Sequence, residues 1–386
     1  MRVALIAIDG QPRAAGSDAP SWVAGRPLAL RQLDFALAAG AQRVIGLGHA
    51  ATQEAVELRL AAEAAGAKFQ VASGPHALLG TVGTADDLLV LAPGLLPEAE
   101  QALAALEIGR GVLTLPDAAV AQGFERIDRD RAWAGVARTP GNLVERLADL
   151  PGDIAIPEAL MRLALQARVP ERRLDATLLV EGTWALLTGV DGAIEGAWLK
   201  RNLPQVPPAR PSVAFAGAFL RPLALPVLRR PRALAWAGAA TMGLLALAFG
   251  TAAAGYASLS FLLLAVGATA TAFTAGAAHL RAAPYAVLDE GLPRLLAWLG
   301  DAALLICATL GVTGNLSHRL FPAAVLLLAL HLPGSLPQSM RWLEDRLAVA
   351  LILACGALAG RAEGALMLLA LALLALRIGH SRITRI

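Results

Sequence analysis

The chain has 386 residues, 56% of them hydrophobic and only 16% charged, with a mean hydropathy of +0.58. That composition excludes an ordinary soluble enzyme, and a formal net charge of +3 gives no basis for a nucleic-acid partner. The apolar excess is uneven: charges recur every few positions up to about Gly196, and apolar runs dominate after Arg232. The pattern divides the chain into a soluble domain, residues 1–200, a basic juxtamembrane linker, 201–232, and a transmembrane helical domain, 233–386.

In chain order, Val3–Ile8 is a continuous apolar run, expected as a buried parallel strand. It is too short for a signal peptide and lacks a small-residue cleavage pattern, so the soluble domain is expected to stay cytoplasmic. A Gly-, Pro- and Ser-rich loop follows from Asp9 to Ser21. Pro27 to Gly40 has helical apolar spacing with a glycine suited to the C-terminal cap. Arg43–Gly48 reads as strand, Thr52–Ala65 as amphipathic helix, Lys68–Val71 as short strand and Asp87–Leu91 as buried strand. This alternation predicts a doubly wound α/β, Rossmann-like sheet, whose ligands sit beyond the carboxyl ends of the strands. Those ends are the Asp9–Ser21 loop and the turn after Leu91. Asp86 and Asp87 fall at the opposite end of their strand.

Further on, Phe124 to Gly135 packs charges around an aromatic residue, which suits either an acceptor-binding strand and turn or a solvated hairpin. Leu160–Arg168 reads as amphipathic helix, and Trp184 and Trp198 as packing residues. The junction is basic, with Lys200, Arg201, Arg210, Arg221, Arg229, Arg230 and Arg232. Such a cluster flanks a first membrane helix on its inner side, and it also suits anionic lipid or phosphate.

Crossing a bilayer takes roughly 20 apolar helical residues. Candidate spans lie near 233–254, 257–278, 295–313, 318–335, 346–360 and 363–379, a bundle of about six helices. With the N-terminal domain inside, Arg281, Arg294, Arg341, Arg346, Arg377, Arg382 and Arg385 fall on inner segments. Outer segments carry Arg319 and Arg361 alone, which predicts a multi-pass, bacterial-type inner or plasma membrane protein with both termini cytoplasmic. Small residues, as in GAATMG and ACGALAG, let helix backbones approach closely. Cys307 and Cys355 are expected as buried free thiols. Ionisable residues within the spans are His279, Asp301 and His331, each a functional candidate or a satisfied packing group.

The opening resembles the MobA-like and sugar-nucleotide nucleotidyltransferases, through Gly25-Arg26-Pro27-Leu28 and Ala39-Gly40-Ala41-Gln42-Arg43-Val44. The resemblance covers about the first 100 residues well and continues loosely to about 200. It implies a nucleotide-binding loop, with Asp9, Gly10, Arg13, Gly16 and Arg26 as candidate residues. Pro12 removes one donor from that loop. The family's lysine ahead of the GRPL segment is absent, and the turn after the central strand reads Leu91-Ala92-Pro93-Gly94 without the family's metal-holding Asp. Phosphoryl-type transfer relies on that metal.

The membrane half resembles the CDP-alcohol phosphotransferases, which have six helices and the motif D-x2-D-G-x2-A-R-x8-G-x3-D-x3-D, with two metals held by its four aspartates. The matching stretch runs from Ala272 to Arg281. Gly276 matches the motif glycine, Arg281 lies one residue beyond the motif arginine, and both first aspartates are replaced, by Ala272 and Ala275. Asp301 is the one carboxylate kept on the third helix. Gly276, Arg281 and Asp301 are the membrane-site candidates, with no metal site implied.

These losses predict a catalytically impaired pseudoenzyme linked to phospholipid head-group metabolism, binding a lipid, head group or nucleotide, or acting as scaffold. Its partners would be membrane lipid, a second copy of the chain or a pathway enzyme. The alternatives are an active membrane-tethered nucleotidyltransferase, with Mg²⁺ held by Asp9, Asp117 or Asp128, and a small transporter. Mg²⁺ enters only with the active alternative.

Overall fold

A computed structural model gives the fold and describes residues 1–8, 22–151, 154–187, 192–203, 210–230, 232–281, 291–312, 315–332 and 336–383. Two compact units emerge, Met1–Arg201 and a second one built from Asn202–Ala282 and Leu288–Ile386.

The first unit is a mixed α/β fold. Its main sheet has seven strands among the described residues: β1 Arg2–Ala7, β2 Arg43–Leu47, β3 Lys68–Ala72, β4 Asp87–Leu91, β5 Gly111–Pro116, β6 Arg131–Pro140 and β7 Glu171–Arg173. They lie in the order β7-β5-β6-β4-β1-β2-β3. All neighbours are parallel except β6, which runs antiparallel to both β4 and β5. Central β1 and β4 are buried on both faces, and their apolar runs are the residues such strands need. The edges carry charge instead: Glu171-Arg172-Arg173 on one side and an alternating, half-exposed Lys68–Ala72 on the other. The strand order reverses between β1 and β4, so a switch point lies there.

Helices α1 Leu28–Ala38, α2 Gln53–Ala64, α3 Glu100–Glu107, α4 Ile156–Gln166 and α5 Gly192–Asn202 belong to this half. In α1 the buried positions Leu28, Ala29, Leu33, Phe35 and Ala36 form one stripe. Thr52 caps α2 by accepting from the Ala55 amide at 3.2 Å. The Phe124–Gly135 segment is a hairpin feeding β6, with Trp133 buried and its indole donating to the Val136 carbonyl. Trp184 and Trp198 are buried packing residues, as expected.

The second unit is helical: α6 Pro211–Arg229, α7 Ala233–Ala253, α8 Ala257–Arg281, α9 Gly291–Gly311, α10 Leu316–His331, α11 Arg346–Leu358 and α12 Ala362–Ile383. All six expected hydrophobic segments are helices. Of the described helices, α6, α7, α8 and α9 are long and apolar enough to cross a membrane, while α10 and α11 are shorter apolar helices. These four helices mark a membrane-embedded protein.

One expectation needs correction. The stretch read as a basic linker contains α6, which packs a stripe of Ala216, Leu220, Ala224 and Leu228 against the bundle. Its fourfold spacing is a helix face that the flanking arginines and the internal Pro222 and Pro226 obscured. A second correction concerns the thiols: Cys307 is buried, but Cys355 is exposed on the outer face of α11.

The outer surface of this unit is apolar, with Trp236, Phe249, Trp298, Phe321 and Leu368 exposed. Such an inside-out pattern is what lipid selects. The threonines are made compatible with it by donating to their own helix: Thr241, Thr269, Thr271, Thr274 and Thr309 each bond the carbonyl four residues back. Small residues set the closest crossings. A Cβ on Gly356 of α11 would come within 2.4 Å of the Ala365 Cβ on α12.

Candidate functional site

In the first unit the fold puts a ligand site at the carboxyl ends of β1 and β4. The candidates Asp9, Gly10, Arg13 and Gly16 lie outside the described residues. The turn after β4 is filled by the chain itself. Leu95–Pro97 pairs antiparallel with Trp184–Leu186, and both strands are largely buried. Gln32 of α1 donates to the carbonyls of Ala92 and Leu95 at 3.0 and 2.8 Å. Gly94 has φ +80°, and a Cβ there would stand 2.4 Å from the Leu187 carbonyl oxygen.

One carboxylate does follow β4, at Glu98, and its oxygens are committed. Arg31 donates to one oxygen at 2.6 Å; the other accepts from Trp198 at 2.7 Å and Arg201 at 2.8 Å. The Arg31 guanidinium also bonds the Val23 carbonyl at 3.1 Å and stacks 4.3 Å from the Trp198 ring. Burial pulls Arg31 below the ordinary arginine range, and Glu98 opposes that pull. Helix α5 is thereby fastened over the segment leading into α1, with Glu195 accepting from the Ala24 amide at 3.0 Å.

Arg26 is held rather than free. It makes a two-pronged pair with Asp34 at 2.6 and 3.1 Å. Burial pushes the Asp34 carboxyl up, and Arg26 offsets part of that. Asp117 opens the short turn after β5, and Asp128 pairs with Arg131 on the surface. Asp86 and Asp87 sit at the amino end of β4, as expected, with Asp87 bonded to Arg110 and Arg138.

The second unit holds a cavity of about 520 Å³. Its apolar wall includes Leu245 of α7, Leu264 of α8, Leu296 and Leu304 of α9, and Leu330 of α10. Its polar rim comes from Arg210, Ser212, Glu344, Asp345, Arg346 and Arg377. The acids at the rim are occupied. Asp345 caps α11 through the Leu347 amide at 2.9 Å and accepts from the Ser212 amide and hydroxyl at 3.0 and 2.7 Å. Glu344 accepts from Arg377 at 3.0 Å and from the Leu336 amide at 3.1 Å. Arg210 makes no ion pair or side-chain hydrogen bond with the described residues, and it is the cation the rim leaves available to a ligand.

Asp301 lies beside this rim. Arg346 grips it with two bonds, at 3.0 and 3.1 Å, and the His331 ring nitrogen lies 2.9 Å away. The His331 ring is itself stacked on Trp298 at 5.9 Å. The candidate therefore ties α9, α10 and α11 together. Arg281 is also a fastener: it donates to the Val227 carbonyl at 3.0 Å and to the Arg230 carbonyl, joining the ends of α8 and α6. Gly276 is half-buried in α8. Among the described residues no group of three or more His, Cys, Asp or Glu is placed to hold a metal ion.

From the sequence Arg210, Arg346 and Arg377 stand out only as flanking charges, and Ser212, Glu344 and Asp345 do not stand out at all. The signal available was the Glu344-Asp345-Arg346 triplet directly ahead of an apolar run. Comparison of the chain with protein-family models finds no match, and comparison with curated proteins finds none either.

Proposed function

We propose that this protein is a non-catalytic relative of nucleotidyltransferase and CDP-alcohol phosphotransferase fusions, binding a phosphorylated lipid or head group as part of phospholipid head-group metabolism. The observation that carries the reading is a coincidence of spacing and geometry. Counting D-x2-D-G-x2-A-R-x8-G-x3-D-x3-D from Ala272 puts the four aspartate positions at Ala272, Ala275, Pro293 and Ala297. All four line the cavity. None has a side-chain oxygen to offer, and Glu344 and Asp345 nearby are engaged by an arginine, backbone amides and a serine.

The cavity keeps what binding needs and lacks what transfer needs. Its leucine wall suits an acyl chain, and Arg210 at the rim suits a phosphate. Among the described residues no group of three or more His, Cys, Asp or Glu is placed to hold the paired cations that offset charge developing at phosphorus. In the first unit the filled turn after β4 and the committed Glu98 support the same reading. The finer parts of this proposal are the nucleotidyltransferase character of the α/β fold, six membrane crossings and a cytoplasmic first unit.

The test uses the full-length protein in detergent, supplied with a CDP-alcohol, a lipid alcohol acceptor and Mg²⁺ or Mn²⁺. No CMP release is expected, while native mass spectrometry shows a co-purified phospholipid that Arg210→Gln loses. Metal-dependent CMP release, or a Mg²⁺-dependent thermal shift with one nucleoside triphosphate, would overturn the proposal. Placing aspartate at Ala272, Ala275, Pro293 and Ala297 together should create Mn²⁺ binding visible by electron paramagnetic resonance.

A further inference from the structure

On the reading that the cavity of the helical unit holds a phosphorylated lipid or head group, its charges decide which kind it takes. Among the described residues three cations border it, Arg210, Arg346 and Arg377. Three carboxylates balance them: Glu344 and Asp345 on the same rim, and Asp301, which grips Arg346 at 3.0 and 3.1 Å. The set is neutral as a whole, even though Arg210 itself makes no ion pair with the described residues. A ligand with a net negative charge would upset that balance beside a leucine wall, where an uncompensated charge is costly. A zwitterion brings a phosphate for Arg210 together with a positive group, and leaves the balance intact.

Glu344 has room for the positive group. Its Oε1 accepts from both Arg377 at 3.0 Å and the Leu336 amide at 3.1 Å. Its Oε2 bonds none of the described residues, and the side chain is 20% exposed on the cavity rim. An open carboxylate oxygen accepts a charge-assisted hydrogen bond from an ammonium N–H. A quaternary ammonium has no N–H to give and is held instead by the faces of aromatic rings. None of the described residues that line the cavity is aromatic. We propose that the cavity takes a primary-amine phosphate, the chemistry of an ethanolamine phosphate head group, with the phosphate on Arg210 and the ammonium on Glu344 Oε2. That head group occurs both on a phospholipid and as a free ester. The wall of Leu245, Leu264 and Leu304 offers an acyl chain contacts that the free ester leaves unused.

The test leaves the protein unaltered and varies the head group. Full-length protein in detergent is given equal amounts of phosphatidylethanolamine, its monomethyl and dimethyl derivatives, phosphatidylcholine and phosphatidylglycerol, with matched acyl chains, and the bound lipid is read by native mass spectrometry. Phosphatidylethanolamine should be retained over phosphatidylcholine by about tenfold, the loss of one charge-assisted hydrogen bond. Retention should fall with each added methyl, and phosphatidylglycerol should do no better than phosphatidylcholine. Free phosphoethanolamine should displace the bound lipid only in large excess. Displacement at equal concentration would keep the head-group assignment and make the soluble ester its carrier. Glu344→Gln with Arg377→Gln, which removes the ion pair as a unit, should bring phosphatidylethanolamine and phosphatidylcholine to parity with a phospholipid still bound. Equal retention of those two lipids by the parent protein, or a preference for phosphatidylglycerol, would overturn this proposal alone. No retained phospholipid of any kind would overturn the reading of the cavity and this proposal with it.

Discussion

The two units solve the same problem, a carboxylate held away from water, in different surroundings. In the α/β unit Glu98 is 4% exposed and its partner Arg31 is 2% exposed. In the helical unit Asp301 is 9% exposed, but Arg346 is 38% and His331 46% exposed. Each cluster includes a tryptophan stacked on a cationic or ionisable partner. If the acid is lost, Arg31 is left sealed in protein, whereas Arg346 and His331 border the surface of their unit. A buried pair is expensive to break chiefly because of the charge left behind. The first cluster thus fixes the architecture beyond β4, while the second joins helices and leaves its cations at the surface of its unit.

The comparison is broken most directly at Glu98. Glu98→Ala should cost about 3–5 kcal/mol, because Arg31 stays buried without its anion. Hydrogen exchange on peptides from α1 and α5 of the full-length protein measures it, and unchanged protection there would remove the contrast. Asp345→Ala comes next, at about 2–3 kcal/mol, since it removes the cap of α11 and both bonds to Ser212. Faster exchange at the starts of α6 and α11 is the expected sign. Asp301→Asn should cost less, about 1–2 kcal/mol, because Arg346 and His331 are partly exposed. If it cost as much as the Glu98 variant, exposure would not be the deciding quantity.

The smallest effect is a pH dependence at Asp87. Burial alone raises this carboxyl, but hydrogen bonds and charge from Arg138 and Arg110 outweigh it and hold the group below the usual range. A depressed carboxyl contributes stability that is whole above the unfolded value near ~3.9 and is lost as pH falls through the folded value. Asp87→Asn should therefore be less stable than the parent by about 1 kcal/mol at neutral pH. The gap should close below about pH 4, as the parent's own carboxyl protonates. Unfolding of the two proteins in detergent at both pH values checks the sign.

Much of the fold was legible because periodicity is local. Val3–Ile8 and Leu88–Leu91 are apolar throughout, as strands buried on both faces must be. The hydrophobic runs after Arg232 became helices close to their expected limits. Helix α6 was not legible, because Pro222, Pro226 and the arginines hid a stripe that has meaning only against a packed neighbour. The rim of the cavity was illegible for a related reason. Ser212 and Asp345 are 133 positions apart, and no spacing rule links them.

Composition and periodicity alone therefore set the alternation of strand and helix and which residue types occupy each motif position. Ala272, Ala275, Pro293 and Ala297 lack carboxylates in any fold. Packing brings these four residues to one wall, spends Glu98 on Arg31, Arg201 and Trp198, and turns Asp301 to Arg346 and His331. The physical reason is range. Backbone preference and burial act over neighbouring residues and leave a periodic trace, whereas a charge chooses its partner in space, after distant segments have met.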